Sequence, residues 1–314
     1  MKLEEANKNY KKGSKYLKTS FIKCNFHPDF TSAIPYFKLA ADEFHSCRQF
    51  EKEIETRQQL IKCFINENSS WEEGNEYEKI SKVQLDNLNS PSESYNSIES
   101  AYNAYINNHS YEDAFKALNK SYDHFIEKEN KEEAEKVLDL AFNGIQNYYH
   151  VIILDKDEDY SYVYEIIDKY VDFLSNGEKY DKYTEVCKTS SELIEKENSN
   201  EKKIIGKYYA YQALGELFCK KEDKYREIIE KGMKYESGDG DLCHKINKLI
   251  ILTKQNNENE QKSITSLFYE ISTKIPNSIY KNLNKYIQEN KGNNENNENN
   301  ENINNNIDDE EDMK

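Results

Sequence analysis

Apolar residues recur along much of the chain at steps of three and four, the spacing that places them on one face of an α-helix. Three segments show this most clearly, and sustained two-residue alternation is not found in the sequence. The pattern therefore predicts an all-α fold. The apolar positions are Tyr111, Ala114, Phe115, Leu118, Tyr122, Phe125 and Ile126 in the first segment, Ala134, Val137, Leu138, Ala141, Phe142 and Ile145 in the second, and Val163, Ile166, Ile167, Tyr170, Val171 and Leu174 in the third.

Turn-forming residues interrupt this pattern roughly every twenty residues, as expected for helical repeats. Ser92 and Ser110 are the predicted N-caps of two of the helices. Helices joined by such short turns form hairpins of about forty residues, close to the period of tetratricopeptide-like repeats. We therefore predict a right-handed solenoid of tetratricopeptide-like antiparallel helical hairpins. The turns are predicted near residues 45–47, 68–70, 89–91, 107–110, 129–130, 157–159, 176–177, 198–200 and 237–240.

We predict three regions along the chain. The hairpin solenoid covers residues 1–235, and a C-terminal helical bundle covers residues 236–289. The remaining residues, 290–314, include eleven Asn, eight acids and two bases. A segment of this composition buries too little apolar area to offset the entropy of ordering, so it is expected to be a disordered acidic tail.

Charge and hydropathy remove several classes of protein. The 314 residues carry a formal charge of −16, of which −6 belongs to the tail and −10 to residues 1–289. An acidic chain argues against nucleic acid as the main ligand. The sequence holds no apolar run long enough for a membrane span and no signal peptide, so we expect a cytoplasmic protein.

Catalytic and metal-binding patterns are not found. The six cysteines form no CxxC pair, so we expect reduced thiols in or near the core. The histidines stand in no HExxH motif, and there is no phosphate-binding glycine loop. Residues 238–241, Gly-Asp-Gly-Asp, superficially resemble a calcium loop but fit a helix–helix turn better. We expect neither enzyme activity nor a cofactor. The functional class that the sequence then favours is a binding module.

One set of N-terminal residues has a distinctive order: residues 16–21, Pro28, Asp29, Phe30, Ser32, Ala33, Phe37, Ala40, Ala41, Phe44 and residues 49–51. In this order they resemble the N-terminus of gamma-SNAP, a member of the soluble N-ethylmaleimide-sensitive factor attachment protein (SNAP) family. Later segments follow the family's order, among them residues 215–218, 242–250, 268–270 and 286–288, and the final six residues resemble the acidic end of alpha-type SNAPs. The Asn-rich segment 290–306 departs from the family's usual tail.

The resemblance implies a non-catalytic adaptor in vesicle trafficking, including transport between the endoplasmic reticulum and the Golgi. Such adaptors bind syntaxin-like SNARE complexes on membranes of the secretory or endocytic pathway. They also recruit the hexameric N-ethylmaleimide-sensitive fusion ATPase, which disassembles those complexes. The expected location is thus cytoplasmic, with peripheral attachment to membranes.

The resemblance also implies three sets of site residues. Phe21, Ile22 and Phe26 would form a membrane-inserting loop, and Lys136, Lys182 and Lys207 would bind the SNARE bundle. Asp308, Asp309, Glu310, Glu311, Asp312 and Met313 would contact the ATPase. Each set has a plainer alternative: packing between the first two helices for the aromatic residues, a solvated face for the lysines, and a solubility tail for the acids.

A generic tetratricopeptide-like scaffold, such as a co-chaperone that clamps a peptide terminus, is the main competing hypothesis. Such a clamp needs Lys and Asn side chains lining a groove across neighbouring repeats, and the sequence alone does not locate one. A helical enzyme is the third hypothesis, and no constellation of residues supports it.

Overall fold

The computed structural model describes residues 2–18, 27–154, 160–235, 241–255 and 260–289. Within these ranges the chain forms fourteen α-helices and no β-strand. The predicted all-α class is therefore confirmed. The helices are α1 (Lys2–Tyr16), α2 (Phe30–Ser46), α3 (Phe50–Asn66), α4 (Ser70–Asp86), α5 (Pro91–Asn107), α6 (Tyr111–Glu127), α7 (Lys131–Ile152), α8 (Ser161–Asn176), α9 (Tyr180–Glu197), α10 (Lys202–Phe218), α11 (Glu222–Met233), α12 (Leu242–Gln255), α13 (Gln261–Ser272) and α14 (residues 277–289).

The predicted apolar stripes form much of the core. All six stripe residues of α7 and all six of α8 are buried. The stripe of α6 is less complete, because Ile126 is 37% exposed whereas its neighbour Phe125 is 1% exposed. Ile126 is the second-to-last residue of α6, which ends at Glu127.

Most of the short connections end in one recurring turn. A residue with positive φ follows the C-cap, and the next backbone N–H donates to a carbonyl five or six positions earlier, as Ser69 donates to Phe64 at 2.9 Å. This is a Schellman-type ending, which satisfies helix carbonyls that would otherwise lack a partner. The positive-φ residues are Arg48, Asn68, Asn89, His109, Glu129, Glu178 and Lys220.

The two predicted N-caps differ in outcome. Ser110 is the N-cap residue of α6, as predicted, although its side chain makes no capping hydrogen bond. The prediction for Ser92 was wrong: the N-cap of α5 is Ser90, and Pro91 occupies the first helical position. Proline suits that position because its missing N–H would have no partner within the helix.

The chain divides into two compact units, Met1–Ile166 and Ile167–Lys314, with the division falling inside α8. We call them the first and second unit. The predicted boundary between residues 235 and 236 stays a prediction, as does the right-handed sense of the solenoid.

In the first unit, consecutive helices pack as antiparallel hairpins, and α1 through α6 each contact the next helix along the chain. Side chains also join alternate helices. Tyr10 of α1 donates to Glu55 of α3 at 2.7 Å, and Trp71 of α4 donates to Asp113 of α6 at 2.9 Å. The hairpins therefore stack in two layers, with the even-numbered helices neighbouring one another, as in the predicted repeat array.

The second unit is built around α10. From Ile205 to Leu217 almost every residue of this helix is buried, including four that are polar or glycine. Helices α9, α11 and α12 pack against it. Helix α14 returns to α8, where the Asn282 amide donates to the Ser175 carbonyl oxygen at 2.9 Å and the Ser278 hydroxyl donates to Asp172. The unit is therefore closed by contacts between its first and last helices.

Candidate functional site: a charged groove on the even-numbered helices

A groove runs along α2, α4 and α6 of the first unit. One part, of about 800 Å³, lies between α4 and α6, and a second part, of about 510 Å³, lies between α2, α3 and α4. The two parts share Lys79, Lys82 and Asp86, so they form one continuous surface. We call it the α2–α4–α6 groove.

Helical spacing accounts for the residues that line the groove. Lys79, Lys82 and Asp86 follow one another at steps of three and four on α4, so they share one face of that helix. Lys116, Asn119, Lys120 and Asp123 have the same spacing on α6. Stacking of the hairpins brings these two faces together, although they are about forty residues apart in the sequence.

The lysine, arginine, aspartate and glutamate side chains that line the groove sum to no net charge, although the protein as a whole is acidic. Its lining includes six cationic and six acidic side chains, whereas residues 1–289 carry a net charge of −10. The surface is therefore less negative than the average for the folded part of the chain. The cations are Arg57, Lys79, Lys82, Lys116, Lys120 and Lys128, and the acids are Asp42, Glu53, Glu78, Asp86, Asp123 and Glu127.

The lysines of the groove differ in their partners. Lys79 pairs with Glu76 at 2.7 Å, Lys128 pairs with Asp86 at 2.9 Å, and Lys116 pairs with Glu112. Lys82 and Lys120 are exposed and have no ion pair or hydrogen bond with any residue that the structure describes. These two ammonium groups, one from α4 and one from α6, are therefore available to a ligand.

Asp86 sits where α4 and α6 meet. His124 contacts its carboxylate at 2.8 Å beside the bond from Lys128. Partial burial acts to raise the pKa of Asp86, but the hydrogen bonds from Lys128 and His124 outweigh it and hold that pKa below its usual value. Asp86 is therefore ionised at neutral pH and holds the side chains of Lys128 and His124 in place.

A buried ion cluster supports the α2 side of the groove. The Arg57 guanidinium bonds Glu53 within α3 and Glu76 of α4, both at 2.8 Å. Burial opposes the charge on Arg57, but Glu76 and Glu53 together raise its pKa, so it stays charged. Both carboxylates are at most 3% exposed, so loss of Arg57 would leave two buried acids without their main partner.

The three lysines predicted to bind a SNARE bundle are already engaged within the protein. Lys136 of α7 pairs with Glu132 at 2.7 Å, and its side chain is 42% exposed. Lys207 of α10 bonds both carboxylate oxygens of Asp168 at 2.8 Å and is only 20% exposed. Lys182 of α9 lies 5.4 Å from the centre of the Tyr170 ring. Lys136 belongs to the first unit, and the other two belong to the second.

Several predicted features lie outside the described residues. They include the membrane loop with Phe21, Ile22 and Phe26, the ATPase-binding residues 308–313, most of the Gly-Asp-Gly-Asp turn and Cys24. Each of them stays a prediction.

The described residues hold no group of three His, Cys, Asp or Glu side chains that could bind a metal ion. The buried thiols are poor nucleophiles. Burial raises the pKa of Cys63 to about 11, and burial also raises the pKa of Cys187 well above its usual value. Both thiols are therefore protonated at neutral pH. Of the helices that the structure describes, none has the length and apolar content to cross a bilayer.

The groove was missed from the sequence. Its cluster of Lys and Asn side chains comes from two helices that only become neighbours when the hairpins stack. The available signal was the spacing of Asn75, Lys79 and Lys82 and of Lys116, Asn119 and Lys120, which puts each trio on one helical face and repeats after about forty residues.

Comparisons with known proteins do not identify the family. No family model and no curated protein matches the chain. Among solved structures, the chain is similar to the crystal structure of BtubC (BKLC) from P. vanneervenii, with 10% identity and a TM-score of 0.32 over 74% of this chain and 89% of that one. A likeness at that level carries no functional argument.

Proposed function

We propose that the protein is an adaptor of the SNAP type, which binds SNARE complexes on membranes and recruits the fusion ATPase that disassembles them. The observation that carries the proposal is the resemblance of residues 16–51 to gamma-SNAP, on a chain built from stacked helical hairpins. Hairpin arrays present long, nearly continuous side-chain surfaces, which suit the binding of another helical assembly.

Reconstituted disassembly of a SNARE complex tests this proposal directly. The fusion ATPase and ATP are supplied with and without the full-length protein, and release of individual SNARE proteins is measured. We expect release to depend on the protein. Equal release in its absence, together with no capture of the SNARE complex, would reject the proposal.

Two charge variants test which surface holds the SNARE bundle. One reverses Lys136, Lys182 and Lys207, and the other reverses Lys82 and Lys120 of the α2–α4–α6 groove. Because the first three lysines already contact partners within the protein, we expect the groove variant to lose more binding in a pull-down. A larger loss of binding in the first variant would instead assign the SNARE contact to Lys136, Lys182 and Lys207.

The predicted ATPase contact is tested by deleting residues 307–314. A cluster of carboxylates can dock on basic surfaces with an affinity that falls as salt rises. We expect the deletion to abolish recruitment of the ATPase and to leave SNARE binding intact. Unchanged recruitment would remove these residues from the mechanism.

A second function is favoured by one specific observation. The groove provides Lys and Asn side chains across neighbouring hairpins of the kind that a peptide-terminus clamp requires, including Asn75, Lys82 and Lys120. A general scaffold would use them to bind the C-terminal carboxylate and acidic side chains of a partner. Fluorescence anisotropy with an acidic peptide, compared with its C-terminally amidated form, tests this. Equal affinity for the two forms would reject the clamp.

A further inference from the structure

Lysines cover the outer face of α1. Lys8, Lys11, Lys12 and Lys15 are all exposed. Their steps of three and four place them along one side of the helix, opposite the buried residues Ala6, Asn9 and Gly13. We call this surface the α1 lysine stripe.

The opposite face of α1 is held firmly in the first unit. The Asn9 amide donates to Glu43 of α2 at 3.1 Å, and the Tyr10 hydroxyl donates to Glu55 of α3 at 2.7 Å. Gly13 lies so close to the ring of Phe37 that an added Cβ would approach it to 2.9 Å. These contacts fix the rotation of α1, so the lysines are directed outward.

The stripe is basic in a chain that is otherwise strongly acidic. Residues 6–28 contain six Lys and neither Asp nor Glu, although the whole chain has a charge of −16. Lys8, Lys11 and Lys15 have no ion pair with any residue in the described part of the chain, and Lys12 lies 5.4 Å from the centre of the Tyr36 ring. The positive charge of the stripe is therefore not neutralised by the part of the protein that the structure describes.

We infer that the α1 lysine stripe binds the anionic headgroups of a lipid bilayer. A row of ammonium groups on an outer helix matches a negatively charged surface, and each lysine near such a surface adds to its affinity. The residues that follow favour a lipid surface over an acidic protein. Phe21, Ile22 and Phe26 follow the stripe in the sequence, and a cationic segment combined with apolar residues is typical of interfacial segments.

The inference deepens the proposed adaptor function and rests on it for the biological setting, since it would orient the protein with α1 toward the membrane. It stands on different residues from the predicted loop, because electrostatic attraction needs no insertion of side chains into the bilayer.

Vesicle flotation of the full-length protein tests the inference. The vesicles are phosphatidylcholine alone or phosphatidylcholine with about 30% phosphatidylserine, a content that gives a negative surface potential. We expect binding only to the anionic vesicles and release as NaCl rises from about 50 mM to about 500 mM, since salt screens the attraction. Equal binding to both kinds of vesicle would overturn the inference.

A matched pair of variants assigns the binding to the stripe. Lys8→Gln/Lys11→Gln/Lys15→Gln should lower the partition coefficient on anionic vesicles on the order of a hundredfold. Lys62→Gln/Lys188→Gln/Lys203→Gln removes the same charge from exposed, dispersed positions and should change it less than about fivefold. All six side chains are exposed, so both variants should fold. Equal losses in the two variants would overturn the inference.

Two further measurements separate binding to lipid from binding to protein. Capture of a labelled peptide of residues 301–314 by the wild type but not by the stripe variant, with unchanged vesicle binding, would assign the stripe to the chain's own acidic end and overturn the lipid proposal. SNARE-complex capture in detergent, without vesicles, tests the adaptor function separately. The stripe variant should still capture the SNARE complex even though it no longer binds the anionic vesicles.

Discussion

The two units use helices of similar length but connect them differently. In the first unit, positive-φ turns fall at residues 48, 68, 89, 109 and 129, so the connections recur every 20 or 21 residues. In the second unit such turns occur at residues 178 and 220, and α14 returns to α8 across 107 residues. The first unit is therefore held mainly by neighbouring hairpins, whereas the second also depends on contacts between its first and last helices, which are distant in the sequence.

This difference predicts that mutation or deletion will change the stability of the two units in different ways. Repeats that contact only their neighbours contribute to stability nearly independently. Disruption of one repeat therefore lowers the stability of that repeat and its neighbours only. A unit closed by its last helix loses a large share of its packing when that helix is removed. Trp71, the only tryptophan of the chain and 43% exposed, lies in the first unit and reports on it alone.

Removal of α14 should have the largest effect. Deleting residues 277–314 exposes the surface that buries Ile279, Leu283 and Ile287, which are at most 1% exposed. At about 1.5–3 kcal/mol for each buried side chain, the second unit should lose roughly 5–9 kcal/mol of its free energy of unfolding. Hydrogen exchange should accelerate in α9–α13 and stay unchanged in α1–α6.

Deleting only residues 290–314 is the control for that experiment, and exchange should then match the full-length protein. If loss of α14 accelerated hydrogen exchange equally in α1–α6, the two units would not unfold separately, which would contradict the difference described between them.

Replacement of Arg57 should have the next largest effect, this time in the first unit. Arg57→Met leaves Glu53 and Glu76 buried without the guanidinium, which should lower the free energy of unfolding by about 3–5 kcal/mol. Urea unfolding monitored by Trp71 fluorescence measures this. Arg226→Met removes an exposed arginine paired with Glu222 at 3.9 Å and should cost under about 1 kcal/mol, measured by far-UV circular dichroism. Similar losses for the two variants would contradict the role given to the buried cluster.

Glu195 should give the second unit a modest dependence on acid pH. Hydrogen bonds from Tyr235 and Tyr209 lower the pKa of Glu195, outweighing partial burial. A lowered pKa stabilises the folded state fully above the ordinary glutamate pKa, and this stability is lost as pH falls through the lowered value. The stability difference between the wild type and Glu195→Gln should therefore shrink between about pH 5 and about pH 3.

The expected size is below about 1 kcal/mol, because Glu195 is about a third exposed and solvent screens the interaction. Thermal unfolding across this pH range, followed by far-UV circular dichroism, measures it. Glu192→Gln, at an exposed position of the same helix, is the control. A stability difference that grew as the pH fell would reverse the predicted sign.

An effect of similar, small size concerns the turns. Glu129 has a φ of 62° and Lys220 a φ of 60°, a region that glycine enters without a steric penalty. Glu129→Gly in the first unit and Lys220→Gly in the second should each raise the free energy of unfolding by up to about 1 kcal/mol. Lys62→Gly, in an exposed helix interior, should lower it by about 1 kcal/mol. Denaturant midpoints measure all three, and destabilisation by both turn variants would contradict the assigned backbone strain.

The sequence predicted the features that depend on local periodicity. The stripes of α7 and α8 are buried as expected, and turns lie near residues 68, 89, 109 and 129, because helical phase and turn formation are set by residues close in the chain. Contacts that depend on stacking were not predictable in the same way. The pairing of α4 with α6 and the return of α14 to α8 join residues separated by about 40 and 107 positions.

The twenty-residue interval in the first unit also limits how such a chain can change its length. Because Lys79, Lys82, Lys116 and Lys120 of the groove all lie on even-numbered helices, and odd-numbered helices form the other layer, gain or loss of one helix would exchange the layers for every helix that follows. Lysines now in the groove would then face the other side. Duplication or deletion of a whole hairpin, about 41 residues between alternate turns, preserves the layer of each helix. The hairpin is therefore the smallest segment by which this part of the protein can grow or shrink while keeping its groove.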